Sequence, residues 1–163
     1  MATTSRARTA SGDIIAVIKR DHQEVKEMFA QVEGLGERAF EQRRKLGEKI
    51  CEALEVHSKL EKEILYPAFR QRAEDREERQ QILEAFEEHA VVDRLVGELK
   101  GMDAKDERYE AKLNVVIESV RHHIKEEERE MFPMAREMFE ADELDEMGRR
   151  FVEEKRRAGM PVG

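Results

Sequence analysis

The chain has 163 residues, of which 39% are hydrophobic, 42% charged and 6% aromatic, and its formal net charge is −8. This length fits one domain with a core of its own, and the acidic balance argues against nucleic-acid binding, because phosphate groups require a basic surface. No apolar run reaches the roughly 18 residues that a membrane span needs, and a single cysteine, Cys51, excludes an internal disulfide. We therefore expect a cytoplasmic protein that binds neither a membrane nor nucleic acid.

Residues 1–12 are small and polar and lack apolar periodicity, so we expect a flexible tail. From Asp13 onward, apolar side chains recur at steps of three and four residues, which is typical of amphipathic helices. The first helix is predicted to end at Gly34 and Gly36. Its inner face comprises Ile15, Ile18, His22, Val25, Phe29 and Val32.

Three further helices are predicted from the same period. The second ends in a polar break at residues 72–77, and the third ends at Gly101, before Asp103 and Asp106. Four helices joined by short turns favour an all-α, up-down-up-down antiparallel bundle. The inner face of the second helix comprises Leu46, Ile50, Ala53, His57, Glu61, Ile64 and Ala68. That of the third helix comprises Ile82, Phe86, His89, Asp93 and Val96. That of the fourth helix comprises Leu113, Val116, Val120, His123, Glu127, Met131 and Met134.

A fifth pattern, formed by Leu144, Met147 and Phe151, predicts a short C-terminal helix that docks on the outside of the bundle. This helix is expected to end near Gly159 and Pro161. The predicted organisation is thus one bundle domain over residues 13–157, with a short tail over 158–163.

Two segments of the chain repeat each other. Residues 57–67 read HSKLEKEILYP and residues 123–133 read HIKEEEREMFP; each has a glutamate four residues after its histidine and ends in an aromatic–proline pair. The preceding helices also match, since RDH ends at His22 and EEH ends at His89. The chain is therefore predicted to consist of two similar helix pairs.

A histidine interrupts the inner face of every helix of the bundle. One histidine on an apolar face is usually a hydrogen-bonded core residue, but one on each of four helices is unexpected. Residues at the same depth in antiparallel helices lie equidistant from the turn between them, and the midpoints between successive histidines fall near residues 39–40, 73 and 106. These midpoints lie in or near the predicted breaks, which indicates that the following side chains meet at one level: His22, His57, His89 and His123.

Glu61 and Glu127 are expected to join the histidines, because a four-residue step stays on one helix face. Two buried carboxylates without a cation would be strongly unfavourable or would be protonated. Imidazole and carboxylate ligands suit iron, manganese or zinc. Six protein ligands are too many for one tetrahedral zinc ion, so the set favours two metal ions that share the carboxylates.

This pattern resembles that of the hemerythrin-like HHE cation-binding domain family. The resemblance covers residues 13–157 and implies a four-helix bundle that holds two iron ions, joined by an oxo or hydroxo bridge. It also implies that Glu61 and Glu127 bridge the irons and that the four histidines are terminal ligands. The matching residues are His22, His57, Glu61, Tyr66, Pro67, His89, His123, Glu127, Phe132 and Pro133.

The sequence departs from the oxygen-carrying hemerythrins, which have a fifth histidine at the position of Asp93. We interpret Asp93 as a metal ligand or as the acceptor of an imidazole N–H, with a water-facing polar residue as an equal alternative. His122 points about 100° away from His123 and is interpreted as a flanking residue. Tyr66 is interpreted as a packing residue, although phenolate oxygen does bind ferric iron.

The absence of the fifth histidine moves the expected function away from reversible oxygen carriage. We expect a di-iron protein that binds or reacts with O2, H2O2 or NO. If the protein is an enzyme, the simplest reaction is peroxide disproportionation, as in a catalase- or peroxidase-like oxidoreductase. The alternatives are iron handling or O2/NO sensing without turnover, and a metal-free interaction module. A ferritin-like site is disfavoured because no Glu-x-x-His occurs. A protein partner is left open, and a monomer or weak dimer is expected.

Overall fold

The computed structural model describes residues 12–161, which form α-helices, two π-helical turns and short connections. The predicted N-terminal tail, apart from Gly12, and the last two residues of the predicted C-terminal tail lie outside the described residues. In chain order the helices are α1 (Ile14–Glu33), α2 (Phe40–Leu60), α3 (Tyr66–Arg72), α4 (Arg76–Lys100), α5 (Glu107–Glu126), α6 (Phe132–Met138) and α7 (Ala141–Arg157).

Side-chain caps fix where the long helices begin. Asp13 accepts a hydrogen bond from the backbone N–H of Ala16 at 2.9 Å at the start of α1. Asp75 and Glu78 form a reciprocal capping box at the start of α4, and Asp106 caps α5. These carboxylates satisfy N–H groups that have no partner within the helix, so the helices start next to the predicted breaks.

Two π-helical turns, Glu61–Leu65 and Glu127–Met131, join α2 to α3 and α5 to α6. In the first π turn the N–H of Tyr66 donates to the carbonyl of Glu61, five residues earlier. Pro67 follows directly, and in an unbroken α-helix its ring would clash with the carbonyl four residues before it. The second π turn has the same arrangement before its own proline. The helical period of the sequence predicts a continuous α-helix through both segments, and the two π turns depart from that prediction.

The helices form the predicted bundle, with α7 as the additional helix. Helix α1 packs on α2, α2 on α4 and α4 on α5, while α7 docks on α1 and α2. The buried apolar residues form two clusters, one containing Ile18 and Phe69 and the other containing Phe29 and Leu113. On α1, α2 and α4 the histidine lies between residues of these two clusters, and after His123 of α5 the first cluster begins at Met131 of the second π turn. The histidine layer is therefore enclosed by apolar packing on both sides. None of the described helices has the length and apolarity needed to cross a membrane.

Helix α7 makes two specific contacts with α1. At Gly148 the backbones approach so closely that a Cβ atom would lie 2.7 Å from the carbonyl oxygen of Gly12 and 2.8 Å from the nitrogen of Ile14. Further along α7, the buried Lys155 donates a hydrogen bond to Asp21. The first contact requires a glycine, and the second brings a positive charge to the histidine layer.

Candidate metal centre

The six predicted ligands converge at one level of the bundle. The four histidines come from α1, α2, α4 and α5, and the two glutamates are the first residues of the two π turns. Five of the six side chains are buried, and His57 is half-buried. Their ligand atoms form two groups, each with all atoms within 4.8 Å of one another. Position A consists of His22, His57, Glu61 and Glu127, and position B consists of His89, His123, Glu61 and Glu127.

The two glutamates belong to both positions because each directs one oxygen to each side. Oε1 of Glu61 lies 2.9 Å from Nε2 of His57, and its Oε2 lies 2.8 Å from Nε2 of His89. Oε1 of Glu127 lies 3.6 Å from Nε2 of His22, and its Oε2 lies 2.9 Å from Nε2 of His123. This arrangement suits two carboxylates shared between two cations.

Position A contains most of the unsatisfied buried polar atoms of the described residues. Both ring nitrogens of His22, Nε2 of His57, Oε1 of Glu61 and Oε1 of Glu127 make no hydrogen bond, since the 2.9 Å contact between His57 and Glu61 lacks hydrogen-bond geometry. Among residues 12–161, Nε of Arg43 is the one other such atom. Leaving a buried polar atom unpaired costs about 1–3 kcal/mol. Four of these atoms, one from each residue of position A, lie around one point and fit a bound cation, whereas Nδ1 of His22 lies 3.7 Å from a carboxylate oxygen of Glu128.

The electrostatics of the site also fit a cation. Burial lowers the pKa of His22 to about 3, so its imidazole is neutral and able to bind metal. Burial and the nearby charge of Glu61 raise the pKa of Glu127 to about 7. Burial opposes a charge on His123, but hydrogen bonds with Glu127 and Glu88 raise its pKa to about 10. Without metal, Glu127 and His123 thus hold protons near neutral pH that a cation would replace.

Two carboxylates outside the ligand set orient two of the histidines. Nδ1 of His57 donates to Asp21 at 3.0 Å, and Nδ1 of His123 donates to Glu88 at 2.6 Å. A proton on Nδ1 leaves the lone pair of Nε2 directed at the metal position. Neither carboxylate was predicted from the sequence, although each directly precedes a histidine in the repeated RDH and EEH triplets.

The hydroxyl of Tyr66 lies inside position B. Its oxygen is 2.8 Å from Oε2 of Glu127, 2.9 Å from Nε2 of His89, 3.1 Å from Oε2 of Glu61 and 3.3 Å from Nε2 of His123. The equivalent residue of the second repeat, Phe132, stacks on His22 at a ring distance of 6.0 Å. The interpretation of Tyr66 as a packing residue is therefore incomplete, because its hydroxyl contacts four predicted ligands.

The sequence of residues 13–135 matches the hemerythrin HHE cation binding domain. The chain belongs to this family. Helix α7 lies beyond the matched residues of the HHE domain and packs on α1. A solved structure of a hemerythrin HHE cation binding domain-containing protein from Mycobacterium kansasii is similar in fold, with 23% identity, a TM-score of 0.74, and coverage of 90% of this chain and 88% of that one. A comparison with curated proteins found no significant match.

Asp93 of this HHE domain lies outside both metal positions. Its oxygens accept hydrogen bonds from Oγ of Ser58, at 3.1 Å, and from Lys62. Since the Ser58 hydroxyl donates to Asp93, it accepts from Nδ1 of His89, which lies 2.8 Å away. Asp93 is therefore connected to His89 only through the hydroxyl of Ser58, a residue that no sequence pattern indicated. His122 is exposed and pairs with Glu126 at 3.2 Å.

A cavity of about 70 Å³ borders the histidine layer of the HHE domain. All four predicted histidine ligands line it, whereas Glu61, Glu127 and Tyr66 do not. Its apolar lining includes Val25, Leu54, Val92 and Val120. The space is large enough for a small molecule next to the metal positions, and most of its exposed wall surface is apolar.

Proposed function

We propose that this HHE domain holds two iron ions, at positions A and B, and binds or reacts with small oxidants. His22 and His57 would hold the first ion, His89 and His123 the second, and Glu61 and Glu127 would bridge them. The observation that carries the proposal is the paired geometry, in which each carboxylate directs one oxygen to each position. When bound, the two irons would supply the two-electron redox change that reduction of O2 or H2O2 requires, and a binding site for NO.

The protein contributes ligation, orientation and exclusion of water. The unpartnered atoms of position A provide ligands without breaking existing hydrogen bonds. Asp21 and Glu88 hold the rings of His57 and His123 in the orientation that directs Nε2 at the metal. The two apolar clusters limit the entry of water, and the cavity on the histidine side supplies space for a diatomic molecule or peroxide.

The size and lining of this cavity favour small oxidants as ligands. We infer that turnover, if it occurs, consumes peroxide in a catalase- or peroxidase-like reaction. An iron-handling or sensing protein would have the same ligands and differ only in turnover. The cytoplasmic location and the monomeric or weakly dimeric state stay predictions from the sequence.

The first test is the iron content and visible spectrum of the protein after anaerobic loading with ferrous iron and exposure to air. We expect two irons per chain and a ferric charge-transfer band. The variant His57→Leu should lose iron, whereas the control His122→Leu should retain it, because His122 is exposed and lies outside both positions. Iron-free protein after this treatment would refute the proposal.

The second test is the consumption of hydrogen peroxide by the iron-loaded protein, followed by the oxygen released. Peroxide consumption that is lost in His57→Leu and kept in His122→Leu supports an enzyme. Two bound irons without turnover would instead support the binding or sensing alternative.

A further inference from the structure

We propose that a second, acidic cavity is the path by which metal cations enter the site and reach position B. This inference rests on the proposed function, because it requires cations at the two positions. The acidic cavity lies between α4 on one side and α5 with the second π turn on the other, and its volume is about 30 Å³. Since about 10–15 Å³ suffices for one water molecule, the space holds about two waters or one partly dehydrated ion.

The lining of the acidic cavity combines negative charge with two ligands of position B. His123 and Glu127 belong both to the cavity wall and to position B, so the cavity borders the metal position. Glu127 is buried, and its Oε1 atom makes no hydrogen bond. Among the described residues that line the cavity, none is a lysine or an arginine. The glutamates of its wall are Glu84, Glu88, Glu126, Glu127 and Glu130.

The exposure of these glutamates decreases from the surface to the metal position. The exposed fraction of the side chain falls from 41% at Glu130 and 31% at Glu88 to zero at Glu127. Arg129, which is not part of the lining, pairs with Glu130 at 2.6 Å, so the inner carboxylates contribute most of the negative charge. A cleft lined by charge of one sign concentrates counter-ions and raises their association rate. Carboxylate oxygen also binds divalent iron and manganese, so a cation can exchange water for protein oxygens as it moves inward.

The first repeat has apolar residues where the second has these carboxylates. When the histidines of the two helix pairs are superposed, the counterparts of Glu84, Glu126 and Glu130 are aliphatic, and each is 3% exposed. They belong to the apolar cluster that contains Leu144 and Phe151 of α7. Apolar packing therefore fills the groove beside position A, whereas the corresponding groove beside position B is lined by carboxylates. The three aliphatic counterparts are Val17, Leu60 and Ile64.

The larger cavity at the histidine layer is less suited to a cation. Its wall is mostly apolar, and the positively charged Lys155 forms part of it. A cation that loses water against apolar side chains gains no ligands in exchange, which is strongly unfavourable. The two cavities therefore offer separate approaches to the site, one for cations between α4 and α5 and one for small uncharged oxidants.

The test measures how fast the metal-free full chain takes up ferrous iron without oxygen, with a chromophoric chelator detecting the unbound iron at each time. The test variant is Glu84→Gln/Glu126→Gln, which removes two carboxylates from the wall of the acidic cavity. The matched control is Glu87→Gln/Glu118→Gln. It makes the same change of net charge on the same two helices, at residues outside the acidic cavity.

We expect the test variant to take up iron about 10-fold more slowly than the wild type, at the lower end of the rate gain from charge focusing. It should still reach two irons per chain, and the control should load at a rate close to that of the wild type. Higher ionic strength should narrow the difference, because salt screens exposed charges. A second variant, Gln81→Lys, keeps every carboxylate but adds a positive charge to the same wall, so it should also load slowly.

The outcomes separate this inference from the proposed function. Equal loading rates of the test and control variants would overturn the entry path and leave the two-metal proposal intact. A test variant that loads at the wild-type rate but holds less iron at equilibrium would also overturn the entry path. Wild-type protein that takes up no iron would overturn both proposals. If the double variant does not fold, the loading rate of Gln81→Lys relative to the wild type decides the question.

Discussion

Replacement of Asp21 by asparagine tests whether the carboxylate outside the ligand set supports metal binding. Asp21 accepts a hydrogen bond from Nδ1 of His57 at 3.0 Å, and its other oxygen accepts from Lys155. Asparagine keeps the shape of the side chain but removes its charge. A hydrogen bond to a charged group contributes about 1.5–3 kcal/mol, against about 0.5–1.5 kcal/mol for a neutral one.

The loss of charge is expected to weaken metal binding at position A. Removal of such a supporting carboxylate typically lowers metal affinity by about 10–100-fold, which corresponds to about 1.4–2.7 kcal/mol. The equivalent change at position B is Glu88→Gln. Since the side chain of Asp21 is 12% exposed and that of Glu88 is 31% exposed, water replaces more of the lost interaction at Glu88. We therefore expect a larger effect for Asp21→Asn.

The assay is an anaerobic competition titration of each metal-free variant with a chromophoric chelator of known affinity. Unfolding by urea, followed by circular dichroism, serves as the stability control. Asp21→Asn should lower the affinity of one of the two metal positions and leave the other close to wild type. Equal affinities of Asp21→Asn and wild type, or a larger loss in Glu88→Gln, would refute the reasoning.

Three further predictions concern stability, pH and thiol reactivity. Gly97→Ala should raise the free energy of unfolding by about 0.5–1 kcal/mol, because the added Cβ meets no atom within 4 Å. Gly148→Ala should lower the free energy of unfolding by about 1–3 kcal/mol, because the added Cβ would clash with the backbone of Gly12 and Ile14. Urea unfolding of both variants checks these opposite signs. Protons on Glu127, whose pKa is raised to about 7, and on His123, whose pKa is raised to about 10, compete with metal. Metal affinity should therefore rise with pH from about pH 6 to about pH 10, and a pH-independent competition titration would contradict this. Burial raises the pKa of Cys51 to about 11, so iodoacetamide should label it much more slowly in the folded protein than in urea, and equal rates would show that the thiol is accessible.

The positions of the histidines and glutamates could be predicted because they follow helical rules. His22 and His57 occupy inner-face positions of amphipathic helices, and the depth argument needs only the chain distance to each turn. The repeat of histidine and glutamate four residues apart then places Glu61 and Glu127 on the same faces. These relations depend on helix geometry alone, and the structure brings all six side chains together.

The remaining features depend on contacts between helices or on a local change of helix type. A regular helical period directs Tyr66 away from Glu61, and only the π turn brings its hydroxyl to position B. Asp21 and Ser58 adjoin the histidines of their own helices but contact histidines of other helices. A single-helix pattern does not contain this information. The acidic residue before the histidine in both repeats was the one available signal.

The contact between Lys155 and Asp21 has a consequence for the order in which the protein matures. Chains are synthesised from the N-terminus, and domains begin to fold before synthesis ends. All six predicted ligands precede residue 128, whereas Lys155 lies in α7. A nascent chain can therefore expose every metal ligand while Asp21 still lacks its cationic partner. The metal centre therefore reaches its final electrostatic state only after α7 has been synthesised and has docked on α1.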